Sequence, residues 1–397
     1  MSNKIFNKII INATNIGRRS SGIGIYSLSI IKELVKIEEN IFIEIYVNRT
    51  CKPQIDKISF PDNFRIKWVT KYVSPDYNFI GHLLRLIYSN LLSIIKRKDI
   101  FFNTSQLEVS FFNRNQVVTI HDVIPLLFPE FHKNQYFYFK WLLGIALKKT
   151  RIIITPSSHT KELIAKLYNI PTRKIDLIPN GIPDYFLEND EEKSLKEEYI
   201  IYAGRICPMK NIKGIVEAFY EIKELIPHKL VFIGGGREEF KKEIQAGRLP
   251  KKVLDDERII IKGYVDEGEM NKLMKEAALL IFPSFYEGFG LPPLEAMACG
   301  TPVVASSSAS LPEVCGNAAH YVNPYDSSDI ANGIISVIKD ENYSKELVGK
   351  GRERIKLFSW KTSAVSVLNI IRSEMIIIPV GRLRPNLLTA ELIKNLN

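Results

Sequence analysis

Cysteine is scarce in this sequence of 397 residues. The four that occur, Cys51, Cys207, Cys299 and Cys315, lie far apart, with no Cys-x-x-Cys pair and no histidine pattern of the kind that zinc requires. This spacing argues against a zinc module and against a disulfide-stapled secreted domain. It favours free, buried thiols in a reducing cytoplasm.

The sequence also lacks a long uninterrupted apolar run. The best candidate, Phe79–Ile95, is interrupted by His82 and Arg85 and is shorter than the roughly 20 residues that span a bilayer. The N-terminal strand-like stretch is broken by Lys4 and Lys8 and has no small-residue cleavage site of a secretory signal. We therefore expect neither secretion nor a membrane span.

Charge is spread unevenly along the chain. Residues 1–190 contain 26 Lys and Arg against 16 Asp and Glu, whereas residues 191–397 contain 28 of each, so the net charge of +10 lies in the first half. A basic half favours an anionic partner, either phospholipid or nucleic acid, and a simple solubility charge is the alternative. Because no helix-turn-helix, zinc spacing or aromatic RNA motif occurs, we expect no nucleic-acid partner.

Short apolar runs alternate with segments of helical period along the chain. In the first half the runs are Ile9–Ile11, Ile41–Val47, Val117–Ile120 and Ile152–Thr155, and the helical segments are Ile23–Ile37 and His159–Leu167. In the second half the runs are Tyr199–Tyr202, Lys229–Ile233, Arg258–Lys262, Leu279–Phe282 and Pro302–Ala305, with helical segments at Gly214–Leu225 and Met270–Ala277. This alternation predicts an α/β fold with two doubly wound parallel sheets.

The length exceeds what one hydrophobic core usually supports, which also predicts two domains. Turn residues at Asn180–Pro183 and the acidic, polar stretch Glu188–Glu198 mark the linker. We predict an N-terminal domain of residues 1–183 and a C-terminal domain of residues 184–360. Residues 361–397 are a helix and tail, for which a return to the first domain is left open.

The most informative stretch is Leu279–Ser306, which orders a strand, a loop, a helix and a second strand. The helix is predicted to begin at Pro292 or Pro293 and to end at Gly300, following the preference for proline at the start of a helix and glycine past its end. The loop thus lies at the carboxyl end of a strand, where ligands bind in open α/β sheets.

Two glycines and two glutamates give this loop its chemistry. Gly288 and Gly290 leave backbone N–H groups unobstructed beside a helix N-terminus, which suits phosphate or sugar hydroxyls. Glu295, placed in the first helical turn, has a purely structural alternative because the helix dipole favours a carboxylate there. Glu287 has no such alternative. The two glutamates together with the glycine loop are a more specific indication of a binding site than either glutamate alone.

The run Glu287-Gly288-Phe289-Gly290-Leu291 through Glu295 resembles the Glu-x7-Glu signature of glycosyltransferase family 4. The segments Gly300–Ala305 and Leu311–Val314 resemble those that follow it in the family, and Asn180-Gly181 resembles the inter-domain turn. The likeness runs from about Ile9 to Trp360. It implies the GT-B architecture, in which two Rossmann-like domains face each other across a cleft.

The resemblance also implies roles for these residues. Glu287 is expected to contact the hydroxyls of the donor sugar and Glu295 the nucleotide ribose, because a carboxylate accepts two hydrogen bonds from a vicinal diol. Gly288, Phe289, Gly290 and Leu291 complete this part of the binding loop.

A second cluster, Gly204–Asn211, follows the predicted strand Tyr199–Tyr202 and resembles the family's Gly-Arg…Lys-Asn motif. Arg205 offers a planar fork of donors and Lys210 a point charge, so both suit a leaving diphosphate. Taken alone, the two cations would be interpreted as members of surface salt bridges with acidic partners. Their place at the carboxyl end of a strand favours the functional interpretation.

In the first half, Gly22 and Gly24 lie in a run that begins at Ser20 and resembles the family's glycine loop over the phosphates and the acceptor. The usual form has an arginine after the second glycine, whereas this chain has Ile25. His121 follows the strand Val117–Ile120, and His121–Pro125 with Pro129-Glu130 is similar to bacterial O-antigen mannosyltransferases. By that resemblance His121 faces the reacting sugar; a buried histidine that satisfies a backbone group is the alternative.

The family transfers sugar with retention of anomeric configuration, by a route in which the departing phosphate accepts the acceptor's proton. Closure of the two domains would bring donor and acceptor together. No Asp-x-Asp triplet occurs, so we expect no metal and no cofactor, with Arg205 and Lys210 in place of the metal. The donor is then a nucleotide diphosphate sugar, with mannose from GDP-mannose favoured over other hexoses or deoxyhexoses on UDP, GDP or dTDP.

The acceptor is expected to be a glycan or a lipid-linked oligosaccharide in the synthesis of cell-surface polysaccharide. The segment Phe79–Lys98 has apolar residues at helical spacing before three cations, and predicts either peripheral contact with the anionic inner membrane or a core helix with a solvated end. A catalytically silent, sugar-nucleotide-binding regulatory protein is the alternative function, which the intact pair of Glu287 and Glu295 disfavours.

Overall fold

The computed structural model describes residues 8–18, 22–37, 40–187 and 197–375. Ser20 and Ser21, residues 188–196 of the predicted linker, and the tail beyond Met375 lie outside the described residues. The chain forms two compact units. The first contains the chain up to Gly181 and the chain that resumes at Ser359, and the second is Ile182–Phe358.

The described residues form two sets of strands and a series of helices. The strands are β1 (Lys8–Asn12), β2 (Phe42–Asn48), β3 (Phe64–Val69), β4 (Ile100–Asn103), β5 (Gln116–Thr119), β6 (Ile152–Thr155) and β7 (Ile175–Leu177) in the first unit, and β8 (Tyr199–Ala203), β9 (Lys229–Ile233), β10 (Ile259–Gly263), β11 (Leu279–Phe282), β12 (Val303–Ser306) and β13 (His320–Val322) in the second. The helices of the first unit are α1 (Gly22–Ile37), α2 (Lys52–Ile55), α3 (Asn78–Ile95), α4 (Ile124–Leu127), α5 (Lys133–Phe137), α6 (Gly144–Lys149), α7 (Ser158–Tyr168) and, after the second unit, α16 (Trp360–Met375), with a π-helical turn at Tyr138–Leu143 between α5 and α6. Those of the second unit are α8 (Asp184–Leu187), α9 (Ile212–Ile222), α10 (Arg237–Gln245), α11 (Glu267–Glu276), α12 (Leu291–Ala298), α13 (Leu311–Cys315), α14 (Ser327–Lys339) and α15 (Glu341–Ile355).

Both sheets are parallel throughout. The first has the order β3-β2-β1-β4-β5-β6-β7, and the second has the order β10-β9-β8-β11-β12-β13. In each sheet the chain winds outward in one direction and then returns to the centre to wind in the other. The switch points lie between β1 and β4 and between β8 and β11, which is where a doubly wound sheet forms its ligand crevice. The prediction of two doubly wound α/β domains is confirmed.

The strands form because runs of β-branched residues are buried on both faces of a parallel sheet. In β1, Ile9 and Ile11 pack into one core of the first unit while Ile10 packs into another on the opposite face. In β5, Val117 and Val118 divide in the same way. This alternation fixes the register, since a slip of one residue would exchange the two faces.

The last described helix, α16, belongs to the first unit. Its Trp360 ring lies 5.8 Å from the ring of Tyr26 in α1, and Ser363 Oγ donates a 2.6 Å hydrogen bond to the carbonyl of Pro179. Arg151 and Glu374 form an ion pair of 3.0 Å at its far end. The helix therefore returns to the N-terminal sheet, the option that the sequence left open.

One described segment, Pro75–Ile95, is long and apolar enough to cross a membrane, judged by length and composition alone. It contains α3, whose Arg85 is buried and forms an ion pair with the buried Glu108, Nη1 to Oε1 3.5 Å. Insertion of α3 into a bilayer would separate Arg85 from Glu108, which lies outside the helix. The separation is unfavourable because a charge without its partner is costly in hydrocarbon. We therefore treat α3 as part of the first unit.

Candidate active site

The predicted donor-side residues lie at the switch point of the second sheet. Arg205 and Lys210 are in the loop that leaves β8, and Glu287 is in the loop that leaves β11, so neighbouring strands deliver them to the same edge. The backbone joins these loops, since the N–H of Phe285 donates a 2.9 Å hydrogen bond to the carbonyl of Met209.

Lys210 and Glu287 meet directly. The ammonium Nζ of Lys210 lies 2.5 Å from Oε1 of Glu287, and their side chains are 19% and 10% exposed. The same ammonium lies 5.7 Å from the centre of the Phe282 ring at the end of β11. A charge-assisted hydrogen bond with so little exposure holds both groups in a defined place.

Asn211 ties three loops together from the position after Lys210. Its Nδ2 donates to the carbonyls of Pro283, at 3.2 Å, and of Pro324, at 2.6 Å. Its Oδ1 accepts from the N–H of Gly214 at 3.1 Å and so caps α9. Asn211 has a φ of 56°, a left-handed conformation that asparagine tolerates better than most residues. The site therefore rests on a polar side chain that the sequence identified only as part of a motif.

The glutamate loop is held from behind by Ser310. Its buried Oγ lies within 2.9 Å of the Glu287 carbonyl and 2.8 Å of the Phe289 carbonyl. Gly290 follows with a φ of 107° and acts as the N-cap of α12. A Cβ at this position would lie 2.6 Å from Cδ2 of Leu311, so only glycine fits without movement.

Arg205 has an exposed side chain on an anchored backbone. The hydroxyl of Tyr202 donates a 2.8 Å hydrogen bond to the carbonyl of Arg205. Burial raises the pKa of the nearby Cys207 thiol, an effect that the charges of Lys210 and Arg205 oppose and that of Glu287 adds to. Arg205, Lys210 and Glu287 thus act electrostatically on one thiol. The guanidinium is available for a ligand beside the ion pair.

Glu295 lies on α12, but not where the sequence placed it. The helix begins at Leu291, not at Pro292 or Pro293, because Gly290 supplies the cap, so Glu295 falls beyond the first turn. The helix dipole therefore gives only a weak reason for its presence. Burial raises the pKa of its carboxyl to about 7, and within the described residues no hydrogen bond or nearby cation offsets this. Its charge also raises the pKa of Tyr185, after burial as the larger cause.

A third loop at this edge was not singled out from the sequence. Gly234, Gly235 and Gly236 follow β9, the strand beside β8. Gly234 has a φ of 95°, and a Cβ there would lie 2.7 Å from the carbonyl oxygen of Gly204. A Cβ on Gly235 would collide with Ile206. The run of three glycines after a predicted strand was the available signal for this close approach.

In the first unit, His121 lies just beyond β5. Its Nε2 donates to the carbonyl of Thr104 at 2.9 Å, its N–H is 3.2 Å from Oε1 of Gln106, and its ring lies 4.7 Å from that of Tyr26. Burial lowers the pKa of the imidazole to about 4. His121 is therefore neutral near pH 7, with Nδ1 left as an acceptor. The contact with Thr104 matches the backbone-satisfying alternative, and a role toward the sugar stays a prediction.

Thr104 belongs to a buried polar cluster at the switch point of the first sheet, which the sequence did not reveal. Asn15 Nδ2 donates to Thr104 Oγ1 at 2.8 Å and to Glu108 Oε2 at 3.2 Å, and Ser27 Oγ lies 2.8 Å from Asn15 Oδ1. These groups come from the ends of β1 and β4 and from α1, so no sequence window contains them. The short hydrogen bond from Ser105 to Glu108 completes the cluster.

Gly22 and Gly24 begin α1, after the carboxyl end of β1. Among the described residues, a Cβ on Gly22 would meet no atom within 4 Å. Ile25, which stands where the family has an arginine, packs partly buried against the core of the first unit. This position therefore supplies no cation to a ligand.

Two family models together match most of the chain. The model described as Glycosyltransferase Family 4 matches residues 20–184, and the model described as Glycosyl transferases group 1 matches residues 186–354. The chain belongs to glycosyltransferase family 4.

Curated relatives of this family 4 glycosyltransferase cover most of its length. The O-antigen chain mannosyltransferase B of Escherichia coli is 26% identical over 376 residues, which are 91% of this chain and 98% of the relative. The O-antigen chain mannosyltransferase RfbU of Salmonella typhimurium is 28% identical over 338 residues, which are 83% and 90%. Among solved structures, Anabaena HepE in complex with UDP and glucose superposes with a TM-score of 0.68 at 16% identity, covering 92% of this chain and 99% of HepE. That likeness bears on the fold alone, which is GT-B.

The structure of the family 4 glycosyltransferase separates the predicted site residues into three groups. Lys210 and Glu287 are in contact, and Arg205 shares their electrostatic surroundings. Glu295 lies on the helix that follows the glutamate loop, without a described contact to either cation. His121, Gly22 and Gly24 belong to the other unit. Throughout the described ranges, no group of three or more His, Cys, Asp and Glu side chains could hold a metal ion.

Proposed function

We propose that the chain is a retaining hexosyltransferase that transfers mannose from GDP-mannose to a glycan or lipid-linked acceptor in polysaccharide synthesis. The observation that carries the proposal is the ion pair of Lys210 and Glu287, which joins two loops at the carboxyl ends of β8 and β11. A cation and a carboxylate at a sheet's switch point suit a ligand with both phosphates and hydroxyls. A nucleotide diphosphate sugar is such a ligand.

The negative charge of the donor determines the role of Lys210 and Arg205. When the bond between the anomeric carbon and the β-phosphate oxygen breaks, negative charge grows on the diphosphate. Lys210 and the exposed Arg205 stabilise that charge, as fixed donors do at a developing oxyanion. Glu287 accepts hydrogen bonds from the sugar hydroxyls, and Glu295 accepts those of the ribose diol once it is ionised.

The acceptor hydroxyl attacks the anomeric carbon from the face that the phosphate leaves, so the configuration is retained. Its proton passes to the departing phosphate oxygen, and the products are the glycoside and the nucleoside diphosphate. This route needs no protein carboxylate as nucleophile and no cofactor. We propose that the reaction is independent of metal because cationic side chains carry the charge stabilisation. His121, which is neutral, orients the sugar through its Nδ1 acceptor.

Mannose is proposed because the curated relatives described above are named as O-antigen mannosyltransferases. A nucleotide diphosphate donor is supported by HepE, whose structure holds UDP and glucose. We propose a cytoplasmic enzyme that works at the inner face of the membrane, where a lipid-linked acceptor would be found.

A thermal-shift screen against GDP-mannose, UDP-glucose and dTDP-linked sugars tests the donor, because a ligand that binds only the folded state raises the melting temperature. We expect the largest shift with GDP-mannose. An assay without acceptor then separates the enzyme from a silent regulatory protein, since only the enzyme hydrolyses the donor slowly. A chain that binds the donor but neither hydrolyses nor transfers it would contradict the proposal.

A further inference from the structure

Helix α3 buries mostly polar side chains and exposes large apolar ones. Its buried residues include Arg85, Ser89, Asn90 and Ser93. Its exposed residues are large and apolar, between 37% and 75% exposed: Phe79, Ile80, Leu83, Leu84, Ile87, Leu91, Ile94 and Ile95. A core helix would present the opposite arrangement, so the alternative of a core helix for this segment is wrong.

Contacts with the rest of the first unit fix this orientation. Ser89 Oγ accepts from Asn12 Nδ2 at 2.9 Å, and Ser93 Oγ lies 2.6 Å from Ser110 Oγ. Asn90 Oδ1 accepts from the N–H of Phe111 at 2.8 Å. Rotating the helix to bury its apolar face would leave these polar groups without partners, at a cost of about 1–3 kcal/mol for each. These hydrogen bonds hold the polar face of α3 against the first unit, and the apolar face therefore points outward.

A second exposed apolar segment lies beside it. Between residues 131 and 145 the structure exposes large apolar side chains by 44–66%: Phe131, Phe137, Trp141, Leu142 and Ile145. A groove of about 820 Å³ runs between the two elements, lined by Phe79, Leu83 and Leu86 on one side and by Phe137 and Trp141 on the other. We call the outward face of α3, the segment 131–145 and this groove the α3 surface. Contiguous apolar exposure on this scale marks a site of interaction.

Cations lie at the ends of the helices beside the α3 surface and within the segment 131–145. The segment Asn78–Thr150 contains nine Lys and Arg, of which all except Arg85 are at least partly exposed, and four Asp and Glu, of which only Asp122 and Glu130 are. Lys96, Arg97 and Lys98 follow the end of α3, and Lys148 and Lys149 end α6. The ammonium of Lys140 lies 5.3 Å from the Trp141 ring. Exposed apolar side chains with lysine, arginine and an aromatic nearby are the chemistry of an anionic lipid interface.

We propose that the α3 surface docks on an anionic lipid leaflet, with lipid chains entering the groove. The proposal builds on the proposed function, because a lipid-linked acceptor would then be met where the enzyme binds the membrane. A second copy of the chain fits less well. The excess of lysine and arginine in Asn78–Thr150 would be present on both copies, and like charges across an interface oppose association.

Vesicle co-sedimentation of the full chain tests the docking. We expect binding to vesicles of phosphatidylcholine and phosphatidylglycerol, little binding to phosphatidylcholine alone, and a decline with added salt. The double variant Ile87→Ser with Leu91→Ser should reduce the partition coefficient on the order of a hundredfold, since each buried leucine or isoleucine is worth about tenfold or more. Leu225→Ser is the matched control, because Leu225 is 61% exposed but belongs to the second unit.

Tryptophan fluorescence locates the contact. Of the three tryptophans, Trp141 lines the groove, Trp360 is buried and Trp68 is 36% exposed, so Trp68→Phe leaves Trp141 as the exposed reporter. Phospholipids with brominated chains should quench Trp141 in this background. Binding without quenching, equal binding to neutral and anionic vesicles, or no binding would overturn the proposal. So would a dimer in sedimentation equilibrium that the double variant dissociates.

Donor recognition serves as the independent check. The double variant should keep its melting temperature and the thermal shift produced by GDP-mannose, because Ile87 and Leu91 lie in the other unit from Lys210 and Glu287. If the wild type binds vesicles but shows no shift with any sugar nucleotide, the proposed function fails and the α3 surface stands. If the thermal shift is present and vesicles are not bound, the docking proposal fails and the proposed function stands.

Discussion

Lys210 and Glu287 are 77 positions apart in the chain, yet their side chains form a 2.5 Å ion pair between the loops that leave β8 and β11. Both groups are mostly buried, so the pair is screened little by solvent. A ligand that replaces Glu287 as the partner of Lys210 must itself bring negative charge. A ligand that also satisfies Glu287 must bring hydrogen-bond donors, for which sugar hydroxyls are suited. A nucleotide diphosphate sugar meets both conditions, through its diphosphate and its sugar hydroxyls.

Replacing Lys210 tests whether its ammonium group stabilises the negative charge of the ligand. Lys210→Ala should lower kcat/KM by about 10²–10³, which corresponds to roughly 2.7–4 kcal/mol of transition-state stabilisation, as for loss of one oxyanion donor. Arg205→Ala should act in the same direction. The control is Lys213→Ala on α9, whose exposed ion pair with Glu217 is far less buried. Steady-state kinetics with donor and acceptor measure the effect, and wild-type activity in either of the two variants would remove these roles.

Glu295 predicts a dependence of donor affinity on pH. In the free protein burial holds the pKa of its carboxyl near 7, so below that pH the group is protonated. Ribose hydroxyls donate to the ionised form, so binding must release a proton at low pH. The affinity for GDP should therefore rise as the pH increases from about 5.5 to 7.5, by up to roughly tenfold per pH unit below the pKa, and then level off.

Glu295→Gln should bind GDP more weakly and lose this pH dependence, as measured by calorimetric titration. Glu346→Gln, in an exposed pair with Lys350, is the control and should behave as the wild type. An affinity that is flat with pH in the wild type would show that Glu295 does not meet the nucleotide.

Most of the sheet could be predicted because its strands are short, buried runs of isoleucine, valine and phenylalanine bounded by turn residues. The strands β9, β11 and β6 begin and end where the sequence placed them. Four strands, β3, β4, β7 and β13, were not predicted. β7 and β13 have three residues each, which carry no period, β4 has only four, and β3 has Arg65 and Lys67 among its apolar residues. The site loops were found for a related reason. Glycine and proline mark them in the sequence, and parallel strands deliver such loops to one edge.

The rest could not be predicted because it depends on contacts between distant residues. Helical spacing identifies the apolar face of α3 but not whether it points inward, which is decided by the partners of Arg85, Ser89 and Asn90 elsewhere in the chain. The cluster around Thr104 is of the same kind. The start of α12 depends on the backbone conformation of Gly290, and so the turn on which Glu295 lies does too.

Asn211 should prove essential to the shape of the site. Asn211→Ala removes the cap of α9 and the hydrogen bonds to Pro283 and Pro324, and it puts alanine, which tolerates a left-handed conformation less well than asparagine, at a φ of 56°. We expect a loss of roughly 3 kcal/mol or more from the free energy of unfolding. Asn211→Gly keeps the backbone conformation and should be less destabilised. Urea unfolding compares the two; equal and small losses would contradict the bridging role.

Gly181 should tolerate no side chain. A Cβ there would collide with the backbone N of Trp360 and lie 2.6 Å from Cγ of its ring. Gly181→Ala should therefore displace the start of α16 and lower the free energy of unfolding of the first unit by about 1–3 kcal/mol. The control is Gly349→Ala within α15, where a Cβ would meet no atom of the described ranges within 4 Å and alanine should stabilise the helix slightly. Thermal unfolding followed by circular dichroism would show whether the two differ in sign.

Removal of divalent metal should leave the reaction intact. If Arg205 and Lys210 neutralise the leaving diphosphate, the transfer rate in EDTA should match the rate in Mg²⁺ within about twofold, which is far below the effect of losing either cation. A rate that falls in EDTA and returns with Mg²⁺ would assign that charge stabilisation to a metal instead.

Hydrogen exchange with and without saturating GDP-mannose tests the placement of the donor most directly, because it locates the nucleotide without requiring an acceptor. Peptides that cover residues 204–214 and 284–296 should exchange more slowly in the complex. The same peptides in Lys210→Ala should gain much less protection at the same ligand concentration. Protection confined to other parts of the chain, with these two loops unchanged, would contradict a donor site built on Lys210 and Glu287.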